Sequence, residues 1–518
     1  MLKEGGPTEA NKYQTKSCFR RFWKAKPSET TDSNTCTTLM KNRGAGASGP
    51  AKGCRTRASK RKEEVKMSIS KYLSAIGMAA LLVVGMGGSA MAYHDGGVAR
   101  CEGCHTMHNS LKGTVMTKDS TGPVGAVGTA FPYLLQGTDQ SSTCLNCHEA
   151  GDTTVDMGTS KDNSYHISTK GATKSGQVPV ELTPGGDFAW VRGTAFDFSW
   201  TLPRSGSSKT TTHGHNIIAA GYGYTAETVN TTGKAPGGTY PTTNLGCISC
   251  HDPHGKYRVL DAAGTIGTSG LPTDGSGSYG AAPTATEAVG VFRILGGVGY
   301  QPKSLTGSYA FTADPPAATA PSKYNHTEMS ANYPTQTRVA YGSGMSEWCA
   351  NCHTQMHNDS YPTNLRHPAG NNAKFPQYIA DNYNKYVKTG DISGLIASSY
   401  NTLVPFETGD GNDTAGKGNM VTLVTNSDMG GPTTSNNVMC LSCHRAHASS
   451  FDSMMRWNNA NQYLMGDNNS AWPDTSADPE AIAQGRTAAQ MQNAYYGRPA
   501  SVFALYQRSL CNKCHIKD

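Results

Sequence analysis

Six times along its 518 residues the chain sets two cysteines three positions apart and follows the second with histidine. The motifs are Cys101-Cys104-His105, Cys144-Cys147-His148, Cys247-Cys250-His251, Cys349-Cys352-His353, Cys440-Cys443-His444 and Cys511-Cys514-His515. A chain with 15 cysteines and 16 histidines would carry about 0.01 of these motifs by composition alone, so the spacing is a chemical requirement. A zinc ribbon uses paired cysteines without an invariant following histidine. A thioredoxin-like pair occurs once, in a βαβ context that is absent here. C-x-x-C-H is the spacing of c-type haem attachment. Its two sulfurs reach the two vinyl groups on one porphyrin edge, and the histidine turns its imidazole onto the iron as the proximal ligand. The other three cysteines, Cys18, Cys36 and Cys54, all precede residue 67. The sequence therefore predicts six covalently bound c-type haems and no disulfide framework.

Composition then follows from the haems. Leu, Ile, Val and Phe make up about 14% of the chain, below the roughly 20% at which disorder is suspected. Disorder also needs a large net charge, and charged residues are only 16%, while Gly reaches 59 and Pro 26. The expected fold class is a multihaem cytochrome c: mostly irregular loops, a few short helices and very little strand, wrapped around a continuous chain of six haems that forms the core. A short helix is expected at each motif. Others are expected over 377–388, where Ile379, Tyr383 and Val387 fall at helical spacing before Gly390, and over 478–496. The Gly-, Thr- and Ser-rich stretches 167–246 and 255–348 read as ordered loops. The glycines have no three-residue period, which excludes a collagen. No apolar run reaches about 18 residues, which excludes a polytopic membrane protein.

Three segments organise the chain. From Met67 the sequence MSISKYLSAIGMAALLVVGMGGSAMA has a basic start at Lys71, an apolar stretch over Leu73–Met86 and an A-x-A site at Ala90-Met91-Ala92, the pattern of a secretory signal peptide. Its apolar stretch is broken by Ser74 and Gly77 and falls short of the about 20 residues a membrane-spanning helix needs. Residues 93–518 form a single hexahaem domain. Residues 1–66 are basic and aperiodic and have no histidine to complete a metal site with their cysteines; they read as an extension ahead of the true start at Met67. The net charge of +7 resides here: residues 1–92 hold 17 Lys+Arg against 6 Asp+Glu, and residues 93–518 hold 28 against 32. A nucleic-acid binder would need a basic face on its folded part. The expected location is outside the cell or on its outer surface, with no transmembrane segment in the mature chain.

The sixth coordination position separates a wire from an enzyme. Ten histidines lie outside the motif position: His94, His108, His166, His213, His215, His254, His326, His357, His367 and His447. Histidine is in surplus, so bis-His ligation is expected over His/Met, which would raise the potential. His105 and His108, His251 and His254, and His444 and His447 share one spacing. Residues i and i+3 lie on one face of a helical turn, but the second imidazole cannot pass through its own porphyrin and must serve another haem. The spacing therefore implies a packed array. His213 and His326 read as bystanders, the first because His215 is beside it, and His94 is placed to fold back on the first haem.

Strings beyond the haem motifs carry a resemblance: GGVARCEGCHTMHNS (96–110), SYHIST (164–169), APGGTYP (235–241), CISCHDPHGKYR (247–258), GYQPKSLTGSYAF (299–311), GMSEWCANCHT (344–354), YPTNLRHPAG (361–370), CLSCHRAH (440–447) and LCNKCHIKD (510–518). Over nearly all of 93–518 the chain resembles the hexahaem outer-surface cytochromes of metal-reducing bacteria, the multihaem nanowire family. The resemblance implies bis-His low-spin haems in a continuous stack and head-to-tail polymerisation into conductive extracellular filaments. It also implies that His108 ligates the fifth haem, the one on His444, of a neighbouring subunit. His94, His166, His215, His254, His357, His367 and His447 match the family pattern, whereas His213, His326 and residues 1–66 have no counterpart. The expected function is electron transfer, not catalysis, toward other multihaem cytochromes and external acceptors such as metal oxides or partner cells. One alternative is a periplasmic shuttle that does not polymerise. The other, a multihaem oxidoreductase with one open iron, is disfavoured because all six motifs end in histidine. Intact mass spectrometry of the exported protein should give residues 93–518 plus six haems. Peptides from residues 1–66, or five haems, would overturn this reading.

Overall fold

In the attachment motifs the chain closes into a helical turn. The N–H of His105, His251, His353 and His444 each bonds the carbonyl of the first cysteine of its motif, at 2.8, 3.0, 3.1 and 3.0 Å. That places both sulfurs and the imidazole on one side of the turn. The turn belongs to helix α1 (Cys101–Cys104), α2 (Gln140–His148), α3 (Met345–Cys349), α5 (Cys440–Cys443) or α7 (Leu510–His515). The third motif forms a 3-10 turn, Cys247–Ser249, in place of the expected α-helix. Helix α2 is the longest of these because Asp139 caps it, accepting the Ser142 N–H at 2.7 Å.

The computed structural model describes residues 101–150, 166–173, 178–180, 183–201, 205–228, 230, 232–320, 339–356, 367–395, 398–400, 403–408, 431–459, 462–467, 470 and 483–516. Residues 1–100, and with them the signal segment and His94, lie outside the described residues, as do His326 and His357. Strand is sparse. The largest sheet has four short strands in the order Ile266–Gly267, Arg258–Val259, Ala288–Gly290 and Thr273–Ser276, the last pair parallel. It lies inside 255–348, which is therefore not loop throughout.

The two helices expected outside the motifs are shorter than the sequence suggests. Helix α4 spans Gln377–Lys385 and ends at Tyr386, which turns extended and is fully buried. Gly390, with φ at 71°, serves a turn in which Asp391 N–H bonds Lys388 O, not a helix cap. Helix α6 covers only Ala488–Ala494, started by a capping box between Thr487 and Gln490. Gln484 and Gly485, both at positive φ, separate it from what precedes, and residues 478–482 lie outside the described residues.

The haems are not the whole core, contrary to the composition argument. Aromatic side chains gather into separate clusters beside the motifs. One joins Tyr383, Tyr400, Phe451, Trp457, Tyr495 and Phe503 beside Cys443 and Cys514. A second joins Phe188, Trp190, Phe196, Tyr222 and Tyr224 near Cys247, and a third joins Tyr240, Tyr257, Tyr300 and Phe311 near Cys352. A few rings that each bury a large area replace the missing aliphatic residues.

The loop after the first motif is braced by Asn109, which is fully buried at φ 43°. Its Oδ1 accepts Met116 and Thr117 N–H groups at 3.0 and 2.6 Å, and its Nδ2 donates to Val124 and Ala126 carbonyls at 3.2 and 3.3 Å. Asn109→Ala should cost about 2–4 kcal/mol, from several bonds worth about 1 kcal/mol each and the polar groups left unpaired. A lowered midpoint in urea unfolding, with early proteolysis between residues 109 and 128, checks this.

Candidate functional site

Every haem-ligating imidazole must keep Nε2 unprotonated, and hydrogen bonding at Nδ1 sets that tautomer. The chain supplies backbone carbonyls for this purpose. His105 Nδ1 bonds Tyr133 O at 3.0 Å, His251 Nδ1 bonds Arg293 O at 2.8 Å, and His444 Nδ1 bonds Ser453 O at 2.8 Å. His353 Nδ1 uses Pro236 O at 2.7 Å. The first three acceptors are equivalent. Tyr133-Leu134, Arg293-Ile294 and Ser453-Met454 are non-glycine pairs at positive φ, and each next residue bridges its histidine: Leu135 to His105, Leu295 to His251, Met455 to His444. The three turns serve the three motifs with a histidine at i+3.

The structure then pairs imidazoles across space. His105 faces His254 with ring centroids 6.5 Å apart and planes 7° from parallel. His251 faces His447 at 6.4 Å, and His353 faces His215 at 6.2 Å. Two imidazoles on opposite sides of one iron, each with a metal–nitrogen bond of about 2.0–2.1 Å and a ring radius of roughly 1.2 Å, have centroids about 6.3 Å apart. The residues therefore fit a porphyrin iron in bis-His ligation. Among the described residues no group of three or more His, Cys, Asp or Glu gathers as a zinc site would.

Backbone pairing and ring packing hold two of the facing imidazoles. His215 N–H bonds His447 O at 2.9 Å and its Nδ1 bonds Ala446 O at 2.6 Å, so one backbone pairing sets two imidazoles against the histidines of two motifs. His447 stacks on Phe188 at 4.5 Å, and a Cβ on Gly185 would come within 2.5 Å of its Nδ1, so only glycine fits there. Burial, with the neighbouring His251 and His215, lowers the His447 pKa to about 3. Burial and His353 bring His215 to about 4. Both imidazoles are neutral at neutral pH, the form that binds metal.

Consecutive motifs are neighbours. The sulfurs of Cys144 and Cys247 lie beside one another, as do those of Cys349 and Cys440. Cys104 lies near Cys144, Cys250 near Cys349 and Cys352, and Cys443 near Cys511 and Cys514. The six attachment sites thus follow one another in chain order.

His254 occupies the position opposite His105 that the sequence suggested for His94. His166 is buried, and its segment runs beside His148, whose carbonyl accepts the Ile167 N–H at 2.9 Å. His108 and His367 are exposed. His148 is half-buried and His515 is exposed. His213 is fully buried, bonded to Ser208 Oγ at 2.8 Å and Arg486 at 3.2 Å, with Asp452 at 3.4 Å.

A curated relative, the C-type cytochrome OmcS of Geobacter sulfurreducens, is 53% identical over 462 residues, covering 88% of this chain and all of the relative. The chain belongs to the OmcS family of c-type cytochromes. Two solved structures from the same organism, one of OmcS nanowires and one of the outer membrane cytochrome S filament, match with TM-scores of 0.70 and 0.69. Each is 53% identical, with 82% of this chain and all of the other covered. No protein-family model matches the chain.

Sequence reasoning missed the acceptor carbonyls of Pro236, Tyr133, Arg293 and Ser453. The last three follow their histidines by 28, 42 and 9 residues. Their shared signal is faint: a pair of large apolar residues, Leu134-Leu135, Ile294-Leu295 or Met454-Met455, closing a short turn. Replacing His447 by alanine should leave six haems attached and convert one iron in six, that on His251, to high spin. Electron paramagnetic resonance of the oxidised protein and carbon monoxide binding to the reduced protein check this.

Proposed function

We propose that this chain carries single electrons along a row of six bis-His haems and polymerises head to tail into an extracellular filament, with His108 bonded to the fifth haem of a neighbouring copy. Each haem supplies a one-electron couple; the chain attaches, orients and spaces them. The observation that carries the reading is a rule of reach. His254, from the third motif, faces His105 of the first. His447, from the fifth, faces His251 of the third. Each i+3 histidine reaches back two motifs. His108, from the first motif, has no earlier motif in its own chain. It is exposed, between Met107 and Leu111, themselves 65% and 59% exposed. His444 is oriented by Ser453 and faces no imidazole among the described residues. If the first motif of the next copy follows the sixth of this one, two motifs back is His444.

The contact is heterologous, a donor near one end meeting an acceptor near the other, so it repeats without closing. Apolar surface supports both ends: Met107, Leu111, Val127 and Tyr133 are exposed around the first motif, and Tyr378, Leu395, Val502 and Tyr506 on the segments packed near the sixth. No helix among the described residues is long and apolar enough to cross a membrane. Export after cleavage at Ala92, with Met67 as the start, fits a place on the outer surface. Partner multihaem cytochromes and external acceptors such as metal oxides complete the path. The ligands for His148 and His515 come from the remaining pool of His94, His166, His357 and His367.

His108→Ala should retain six haems by intact mass, leave one iron per subunit without its second imidazole, and abolish or weaken filaments in negative-stain micrographs. A fully low-spin variant that still forms normal filaments would refute the bridging role. A non-polymerising shuttle is favoured only if the unmodified protein shows no filaments.

A further inference from the structure

Glu407 is a carboxylate with no exposed surface, held between the starts of two haem-binding helices. Its Oε1 accepts the Met345 N–H at 2.7 Å, at the first residue of α3, which ends at Cys349. Its Oε2 accepts from Asn437 Nδ2 at 2.9 Å, three residues before Cys440 and the start of α5. The backbones of Glu407 and Asn437 exchange two hydrogen bonds of 3.1 Å, and Thr408 N–H bonds Tyr341 O at 3.0 Å. These bonds hold the carboxylate between the two helices. The two helices it joins meet at their sulfurs, Cys349 against Cys440, so the fourth and fifth haem attachments both lie within a turn or two of it.

Glu407 has unusual company for a buried acid. Glu149, also buried, pairs with Arg192. No lysine or arginine among the described residues makes an ion pair with Glu407. The charged and titratable groups facing it are Glu347 on α3 and Lys374 from the segment before α4; Lys374 Nζ is bonded to Asn437 Oδ1 at 2.7 Å. Glu347 is engaged with the Asn371 N–H at 2.7 Å. Both oxygens accept from N–H donors, which a single amide oxygen could not do, yet a buried carboxylate without an ion-pair partner is costly.

We propose that Glu407 is a proton-binding site coupled to electron occupancy of the fourth and fifth haems. The haems these motifs would hold supply a one-electron couple, and each electron taken up there would lower the local charge by one. The Glu407 carboxylate then takes one proton from solvent and becomes a neutral carboxylic acid, and re-oxidation returns the proton. Burial, aided by the Glu347 charge and opposed by Asn437, Met345 N–H and Lys374, holds the acid near about 7, so a small change in field moves it across neutral pH. Added negative charge raises this value further, so reduction is favoured at low pH and the potentials of these haems fall as pH rises. This inference needs haems only at the fourth and fifth motifs and not the His108 bridge.

The test is spectroelectrochemical titration of the haem-loaded protein at a series of pH values, for the unmodified chain and Glu407→Gln. In the unmodified protein two of six haems should show potentials that fall through the neutral range. In Glu407→Gln these should be flat and lie at the acid-side value, because glutamine mimics the protonated form. Equal pH slopes in both proteins would overturn the proposal. Lys374→Gln serves as a second variant, which removes a nearby positive charge and should move the pH dependence of the same two haems upward. An unmoved profile there also overturns the proposal, even if Glu407→Gln fails to fold. Intact mass and micrographs of each variant report haem loading and filament formation separately, so failure of the proton site is distinct from failure of the filament reading.

Discussion

An iron in a porphyrin leaves two positions for the protein, on opposite faces, and no single turn of chain can supply both. This constraint governs the chain. The attachment motif fixes one face locally, and the other must be reached from elsewhere: His254 closes on His105 from 149 residues away and His447 on His251 from 196. The three pairings interlace the motifs, so a chain poor in aliphatic residues is tied together by distant ligands. Loops are sufficient between these ties because the fixed points lie at the ligands. The aromatic clusters then fill space beside the third, fourth, fifth and sixth motifs, where a ring buries more area per residue than an aliphatic side chain.

Orientation is built with equal economy. An imidazole with Nδ1 bonded to a carbonyl presents Nε2 in one tautomer and one plane. Tyr133, Arg293 and Ser453 supply those carbonyls from backbone at φ 59°, 52° and 57°, a region that bulky side chains normally avoid. The recurrence of this geometry at the first, third and fifth motifs points to one module used three times, in which a left-handed pair turns a carbonyl toward the proximal ring. The strain is offset by paired backbone bonds on either side, such as Thr106 N–H to Leu134 O at 2.6 Å and Gln136 N–H to Cys104 O at 2.9 Å.

What was legible in the sequence follows the range of each interaction. The motifs are local, and their six repeats disclosed the cofactor and the loop-rich fold class. The i+3 histidines pointed to one motif serving two haems, since a histidine on the same face as the proximal one cannot serve the same iron, and His254 and His447 each face the histidine of another motif. Which haem each serves was not legible, because that depends on how loops of variable length return. Sequence proximity places His94 near the first haem, but proximity alone does not disclose that His254, 149 residues away, faces His105; His94 lies outside the described residues. The aromatic cores were hidden because composition counts aliphatic residues, and helix α4 was overextended because Tyr386 turns away to pack against Lys513, whose ammonium lies 5.2 Å from its ring.

The reach of two motifs has a consequence that does not depend on chain length. If every i+3 histidine on an odd motif serves the odd motif before it, the first such histidine always lacks an acceptor and the last odd motif always lacks a donor. Adding further pairs of motifs moves the vacancy along without removing it. A ligand from solvent, a loop of different origin or a second copy must complete the set, and a second copy satisfies both vacancies with one contact per interface. That contact sets the register of the copies by metal coordination, which is directional, with apolar burial adding area but little direction. Subunits joined this way continue the order of haems across the junction as within the chain, so polymerisation extends the electron path by the same rule that folds the monomer.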